Sequence, residues 1–198
     1  QTDVRTLVVG EGMKINIGVA LGGVRENTID RDVTITVNNS LVTPEILTTM
    51  KNGLSYIKQS VEGVDNLLPI PTNYYTLSSN NIVIKAGKHI GTAVLKVDST
   101  NFLSDPSTLN ATYALPLYIA NADADTILED KRYTVIGLKY ENMLFGNYWH
   151  GGVTTVKDAT GTTVETINYF TRIPAPEGTV WRLTTVAPDK LVTNGYSD

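Results

Sequence analysis

Across residues 13–21 every second residue is apolar: Met13, Ile15, Ile17, Val19 and Leu21 fall on one face, and Lys14, Asn16, Gly18 and Ala20 on the other. A period of two marks a strand with one buried face, and such a face needs a second layer to cover it. The pattern returns at Val33, Ile35 and Val37, at Ile82 and Ile84, and at Ala93, Leu95 and Val97, with shorter apolar stretches at residues 7–9 and 113–119. Composition agrees, since 27 Thr, 20 Val and 15 Ile make up close to a third of the 198 residues, and β-branched side chains suit a pleated surface. Gly22-Gly23, Asn38-Asn39-Ser40, Ala86-Gly87-Lys88 and Asp105-Pro106-Ser107 supply turns between the strands. Strands at this spacing, with no helix after each one, predict an all-β fold: an antiparallel immunoglobulin-like β-sandwich rather than a parallel α/β sheet. Its core is expected to contain Ile15, Ile17, Val33, Ile35, Val37 and Leu95.

One short helix is expected as an insertion between strands. Thr43 can cap it, Pro44 sits where its missing N–H costs nothing, Ile46, Leu47 and Met50 make one face, and Gly53 closes it. Residues 54–71 combine the apolar Leu67, Leu68 and Ile70 with Pro69 and Pro71, which predicts an irregular segment covering a sandwich edge. KRYTVIGLKY (residues 131–140) reads as a last strand, after which the texture changes. The expected organisation is therefore an immunoglobulin-like domain over residues 1–140 and an incomplete C-terminal β domain over residues 141–198. The second is read as a partial antiparallel β-meander of strands at 144–149, 153–157, 163–170 and 179–187. Its turns fall at His150-Gly151-Gly152, at Asp158-Ala159-Thr160-Gly161 and around residues 173–178. So short a meander buries little core, and the unit is expected to be cut short.

Several chemistries are excluded early. With 16 Lys+Arg against 20 Asp+Glu and a net charge of -4, no basic stripe is present to neutralise a phosphate backbone, so nucleic acid is not an expected partner. The absence of Cys removes disulfides, thiolate metal sites and Cys nucleophiles. No apolar run is long enough to form a spanning helix. There is no Gly-x-Ser-x-Gly elbow and no phosphate-cradling Gly-rich loop, and no spacing nominates a carboxylate pair for glycoside cleavage. Asn121, Asp123 and Asp125 share the opening spacing of a calcium-binding loop, but Thr126 stands where Gly is needed and Arg132 where a bidentate Glu is needed. His89 reads as a solvated turn residue. His150 has two aromatics and two glycines around it but no second ligand at metal-site spacing. No metal, cofactor or turnover is expected.

Aromatic side chains carry the remaining interaction signal, because a ring offers a flat apolar face that suits the C–H surface of a sugar. Tyr148, Trp149, Tyr169, Trp181 and Tyr196 cluster late in the chain, and Tyr148, Trp149 and Trp181 are the candidate ligand-binding residues. The competing reading is that these rings, like Tyr74 and Tyr75, belong to a core.

The order VTITV (residues 33–37), LVTPEI (41–46), LLPIPTNYYTLSSNNIVIKAGKHIGTAVLKV (67–97) and YALPLYIANAD (113–123) resembles the N-terminal domain of unknown function of Bacteroidetes surface lipoproteins. Tyr75-Thr76-Leu77 and Tyr113-Ala114-Leu115-Pro116-Leu117 carry the likeness over about residues 1–140, while Lys51-Asn52-Gly53-Leu54-Ser55-Tyr56 departs from the family's usual Asn-Gly-Thr-x-Tyr. Residues 144–170 and 180–198 look like the opening of the companion C-terminal β domain. The resemblance implies an immunoglobulin-like sandwich in a cell-surface, outer-membrane lipoprotein of a polysaccharide-utilisation system, with a glycan-binding or presenting role. Its implied partners are a glycan and other surface proteins of that system, and the membrane only through a lipid anchor absent from this chain. The alternatives are a structural spacer, or an accessory domain of a truncated glycoside hydrolase. Gln1 in place of an initiator Met, taken with the resemblance, predicts a native protein longer upstream, and the unclosed meander predicts further strands downstream.

Overall fold

The computed structural model describes residues 1–169 and 180–194. Two compact units divide the chain, Gln1–Glu141 and Asn142–Asp198.

In chain order the first unit contains β1 (Thr2–Val8), β2 (Lys14–Ala20), β3 (Arg31–Val37), α1 (Pro44–Lys51), α2 (Ser55–Val61), β4 (Leu68–Pro69), β5 (Tyr75–Leu77), β6 (Asn81–Ile84), β7 (Ile90–Val97), α3 (Ser99–Ser104), β8 (Tyr113–Ala122) and β9 (Tyr133–Glu141). A six-stranded sheet in the order β1-β9-β8-β3-β6, with β4 added beside β8, faces a three-stranded sheet in the order β2-β7-β5. Ile17, Val33, Ile35, Ile82, Leu95, Leu115, Leu138 and Tyr140 fill the space between them. The fold is an immunoglobulin-like all-β sandwich.

Two of the six expected core residues depart from the pattern. Ile15 is half-buried, and Val37 is 40% exposed. Val37 ends its strand three residues after the β6 ladder has stopped at Thr34, so the side chain lacks cover. The sheet is also not wholly antiparallel. β1 pairs β9 in parallel from Thr2↔Val135 to Val8↔Glu141, and β4 pairs β8 in parallel.

Among the described residues three α-helices form where one was expected. α1 forms as its caps dictate: Thr43 Oγ1 accepts from the Ile46 N–H, Pro44 opens the first turn, and the Gly53 N–H closes onto the Met50 carbonyl. It is not the lone helix, and it is more than an insertion. Leu47 and Met50 of α1, Ile57 and Val61 of α2, and Val64 and Leu67 after it pack on Val4, Ala114 and Val135 of the six-stranded sheet. Alternation in β8 and β9 sends Ala114 and Val135 to this side and Leu115 and Ile136 to the sandwich side. Residues 54–71 therefore cover a sheet face with their helical part and, at Leu68–Pro69, pair alongside β8. Within them Pro69 is compatible with pairing, because the Leu68 and Ile70 N–H groups donate to Thr112 and Ala114 and the position between them needs no donor.

The second unit contains β10 (Gly146–Trp149), β11 (Gly152–Lys157), β12 (Thr163–Tyr169), β13 (Val180–Ala187) and β14 (Lys190–Thr193). A simple meander is not what forms. β10 skips its neighbour in sequence to pair β13, giving the sheet β10-β13-β14, and β11–β12 stands as a separate hairpin. The turn at residues 158–161 is held by Asp158, whose Oδ1 accepts from the Thr160 and Thr162 N–H groups at 2.8 and 2.9 Å, with Gly161 at φ +86°. Asn142 ties the unit's start to its end by donating its N–H to Thr185 Oγ1 at 3.0 Å and its side-chain amide to the Pro188 carbonyl at 2.8 Å. The expected turn at 173–178, and Tyr196, lie outside the described residues.

Candidate functional site

Register decides which aromatics can act together. In the β10–β13 ladder Tyr148 is opposite Trp181 and Trp149 is opposite Val180. Residues directly opposite share a face and successive residues alternate, so Tyr148 and Trp181 lie on one face of this sheet and Trp149 on the other. Trp149 is 52% exposed and Tyr148 42% exposed. The Tyr148 hydroxyl donates to the Leu144 carbonyl at 3.0 Å, which fixes the ring across the start of its own strand.

Trp181 is half-buried. His150 stacks on it with ring centroids 3.9 Å apart and planes 13° from parallel, and Tyr169 lies tilted to the imidazole at 5.3 Å. The neighbours of His150 are thus rings rather than carboxylates, and one face of the Trp181 indole is already occupied. The three candidate residues do not form a single platform: Trp149 offers the most open ring, Tyr148 a pinned and half-open one, and Trp181 a ring stacked against its own unit.

Other residues marked in the sequence have structural partners. Tyr74 is half-buried, edge-on to Phe102 at 6.2 Å and to Tyr113 at 5.7 Å. The Tyr74 and Tyr113 hydroxyls both donate to Asp105 Oδ2, at 3.0 and 2.8 Å, and the Ser107 N–H donates to Oδ1 at 2.8 Å. Asp123, from the calcium-like spacing, accepts the Asp32 N–H at 3.1 Å while Arg31 donates to its carbonyl at 2.7 Å. These contacts tie the loop after β8 to the start of β3. No group of three or more His, Asp or Glu side chains suited to a metal ion occurs among the described residues.

Two clefts in the first unit have no counterpart among the sequence signals. One, of about 440 Å³, lies between the end of β2 and the loop after β8, with Val19, Leu21, Val33, Ile84, Ile119 and Leu128 as its apolar lining. The other, of about 350 Å³, runs between β2 and the β8–β9–β1 side of the six-stranded sheet. Their walls come from segments far apart in the chain, so no local motif announces them.

Residues 1–126 match the model of a family described as an N-terminal domain. Among solved structures, a Bacteroides ovatus protein of unknown function is similar with a TM-score of 0.70 and 21% identity, over 96% of this chain and 64% of that one. A second Bacteroides ovatus protein of unknown function gives 0.52 and 14%, over 98% of this chain and 58% of that one. A Bacteroides thetaiotaomicron protein described as an auxiliary nutrient binding protein gives 0.50 and 17%, over 98% of this chain and 61% of that one. At these identities the likeness is one of fold, and the chain spans less than two thirds of the length of each. No protein of curated function matches. The family match covers well over half of the chain, so the protein belongs to the family that this N-terminal domain of unknown function defines.

Proposed function

We propose that this protein is a non-catalytic cell-surface module that binds or presents glycans in a polysaccharide-utilisation system. The observation that carries the reading is Trp149, an indole 52% exposed on a strand whose neighbour Tyr148 is also open. Large rings left in water favour a ligand over a spacer role. The similarity in fold to a protein described as nutrient binding supports the same direction. Trp149 is the leading contact, with Tyr148 and Trp181 as a second, separate contact. An outer-membrane lipoprotein location belongs to this proposal; accessibility of the protein to protease on intact cells tests it.

Calorimetry against a glycan panel tests the site. Trp149→Ala is expected to weaken binding about fivefold, the equivalent of ~1 kcal/mol for one stacked ring, with an unchanged unfolding midpoint. Trp181→Ala is expected to lower the midpoint as well, because the His150 stack is lost. Unaltered affinity in Trp149→Ala, or no binding to any glycan, would overturn the reading in favour of a spacer.

A further inference from the structure

The two clefts of the first unit are one groove. They share Val19, Ala20, Ile119 and Lys131 as lining, and the groove follows β2. That strand is an edge, since its sheet runs β2-β7-β5. The Leu21 N–H donates to the His89 carbonyl, and Met13 O accepts from Val97 N–H. The odd-numbered residues therefore bond toward β7, and alternation turns the N–H and C=O groups of Lys14, Asn16, Gly18 and Ala20 outward. Among the described residues no strand pairs on that side. Nor is the edge blunted: it has no Pro and no bulge, and only Lys14 at one end is charged.

The opposing layer is wider than its cover, six strands against three. Next to β2, Leu117, Ile119 and Ile136 of that layer line the groove. A strand laid along β2 would satisfy four residues' worth of open backbone and drop alternate side chains onto this floor. We infer that β2 and its groove form a strand-addition site for an extended peptide segment with apolar side chains at alternate positions. Main-chain bonds would supply the affinity and the floor the selectivity. Lys131, which makes no ion pair among the described residues, favours an acidic residue at its end of the segment. A second copy fits less well. Its own β2 could bond the edge, but Ile17 and Val19 are committed to their own core and could not fill the groove.

The test uses a displayed library of random twelve-residue peptides, selected on the whole chain and on Gly18→Pro. Pro is tolerated there because the Gly18 N–H points away from β7 and a Cβ meets nothing closer than 3.8 Å. Alternating apolar sequences should be enriched on the wild type, and the best peptide should lose at least tenfold in affinity on Gly18→Pro at an unchanged unfolding midpoint. Binding should also slow amide exchange at Asn16, Gly18 and Ala20. If Gly18→Pro does not fold, N-methylation of the peptide at alternate backbone nitrogens takes its place, with the same loss expected. Absence of enrichment, binding indifferent to both changes, or self-association of the chain through β2 in place of peptide binding would each overturn the proposal.

Discussion

A Cβ added at Gly137 would lie 3.0 Å from the Ala111 Cβ, 3.1 Å from the Met50 Cε and 3.2 Å from the Val4 Cγ2. The missing side chain is what lets α1 and the 111–112 segment settle on the six-stranded sheet. Gly137→Leu is expected to destabilise the protein by about 2–3 kcal/mol through overpacking, read as a lower denaturant midpoint at unchanged slope. Asp105 makes a different kind of contribution. Burial pushes its carboxyl up, but the Ser107 N–H and hydroxyl and the Tyr113 and Tyr74 hydroxyls outweigh it and hold the group below its ordinary value of 3.8. A carboxyl depressed on folding contributes stability above its unfolded pKa, and that stability is lost as pH falls through the folded value. Tyr113, through its bond to Asp105 and then burial, and Tyr74, through burial and then that bond, are held above 10.0. Their contribution is present below the unfolded value and lost as pH rises through the raised one. Asp105→Asn should therefore lower stability at neutral pH by about 1–2 kcal/mol, seen as a lower melting temperature, and flatten its fall in acid, below about pH 4. A pH series of thermal melts checks both.

At the scale of elements, the strands were legible where burial alternates, because β2, β3 and β7 each present one face to one core. α1 was legible because Thr43 and Pro44 announce it chemically. α2 was not, since its start at Leu54 has no side-chain cap, and its purpose depends on a sheet face assembled from β1, β8 and β9. Met50, fully buried at that junction, should cost about 2–4 kcal/mol as Met50→Ala. The aromatic positions could be named from residue type, but their division between two faces needed the β10–β13 register, which joins strands separated by a whole hairpin. That hairpin, β11–β12, leaves Val153, Val156, Val164 and Ile167 exposed. A two-stranded ribbon in this state is marginal, and we propose that it belongs to a larger β domain.

For the molecule as a whole, residues 1–141 carry both large cores. Expressed alone they should unfold cooperatively, whereas residues 142–198 alone should give a poorly dispersed amide spectrum; a well-dispersed one would show that the second unit needs no further cover. The domain organisation read from the change of texture near Glu141 is a proposal that this pair of measurements would decide. Composition could announce a β-rich fold, but the parallel placement of the first unit's first strand beside its last could not be read from it, because nothing local in either segment encodes a partner so distant. That placement sets an order of events. A ribosome delivers β1 before the other elements of the unit, yet its ladder begins with Thr2 against Val135 and ends with Val8 against Glu141. Until then Val4 and Leu7 wait without the two cores they will join, and the loop to be closed is nearly the whole unit. Within this unit β1 is thus synthesised before every other element and docked late, and the nascent unit carries an unpaired apolar strand until β9 has emerged.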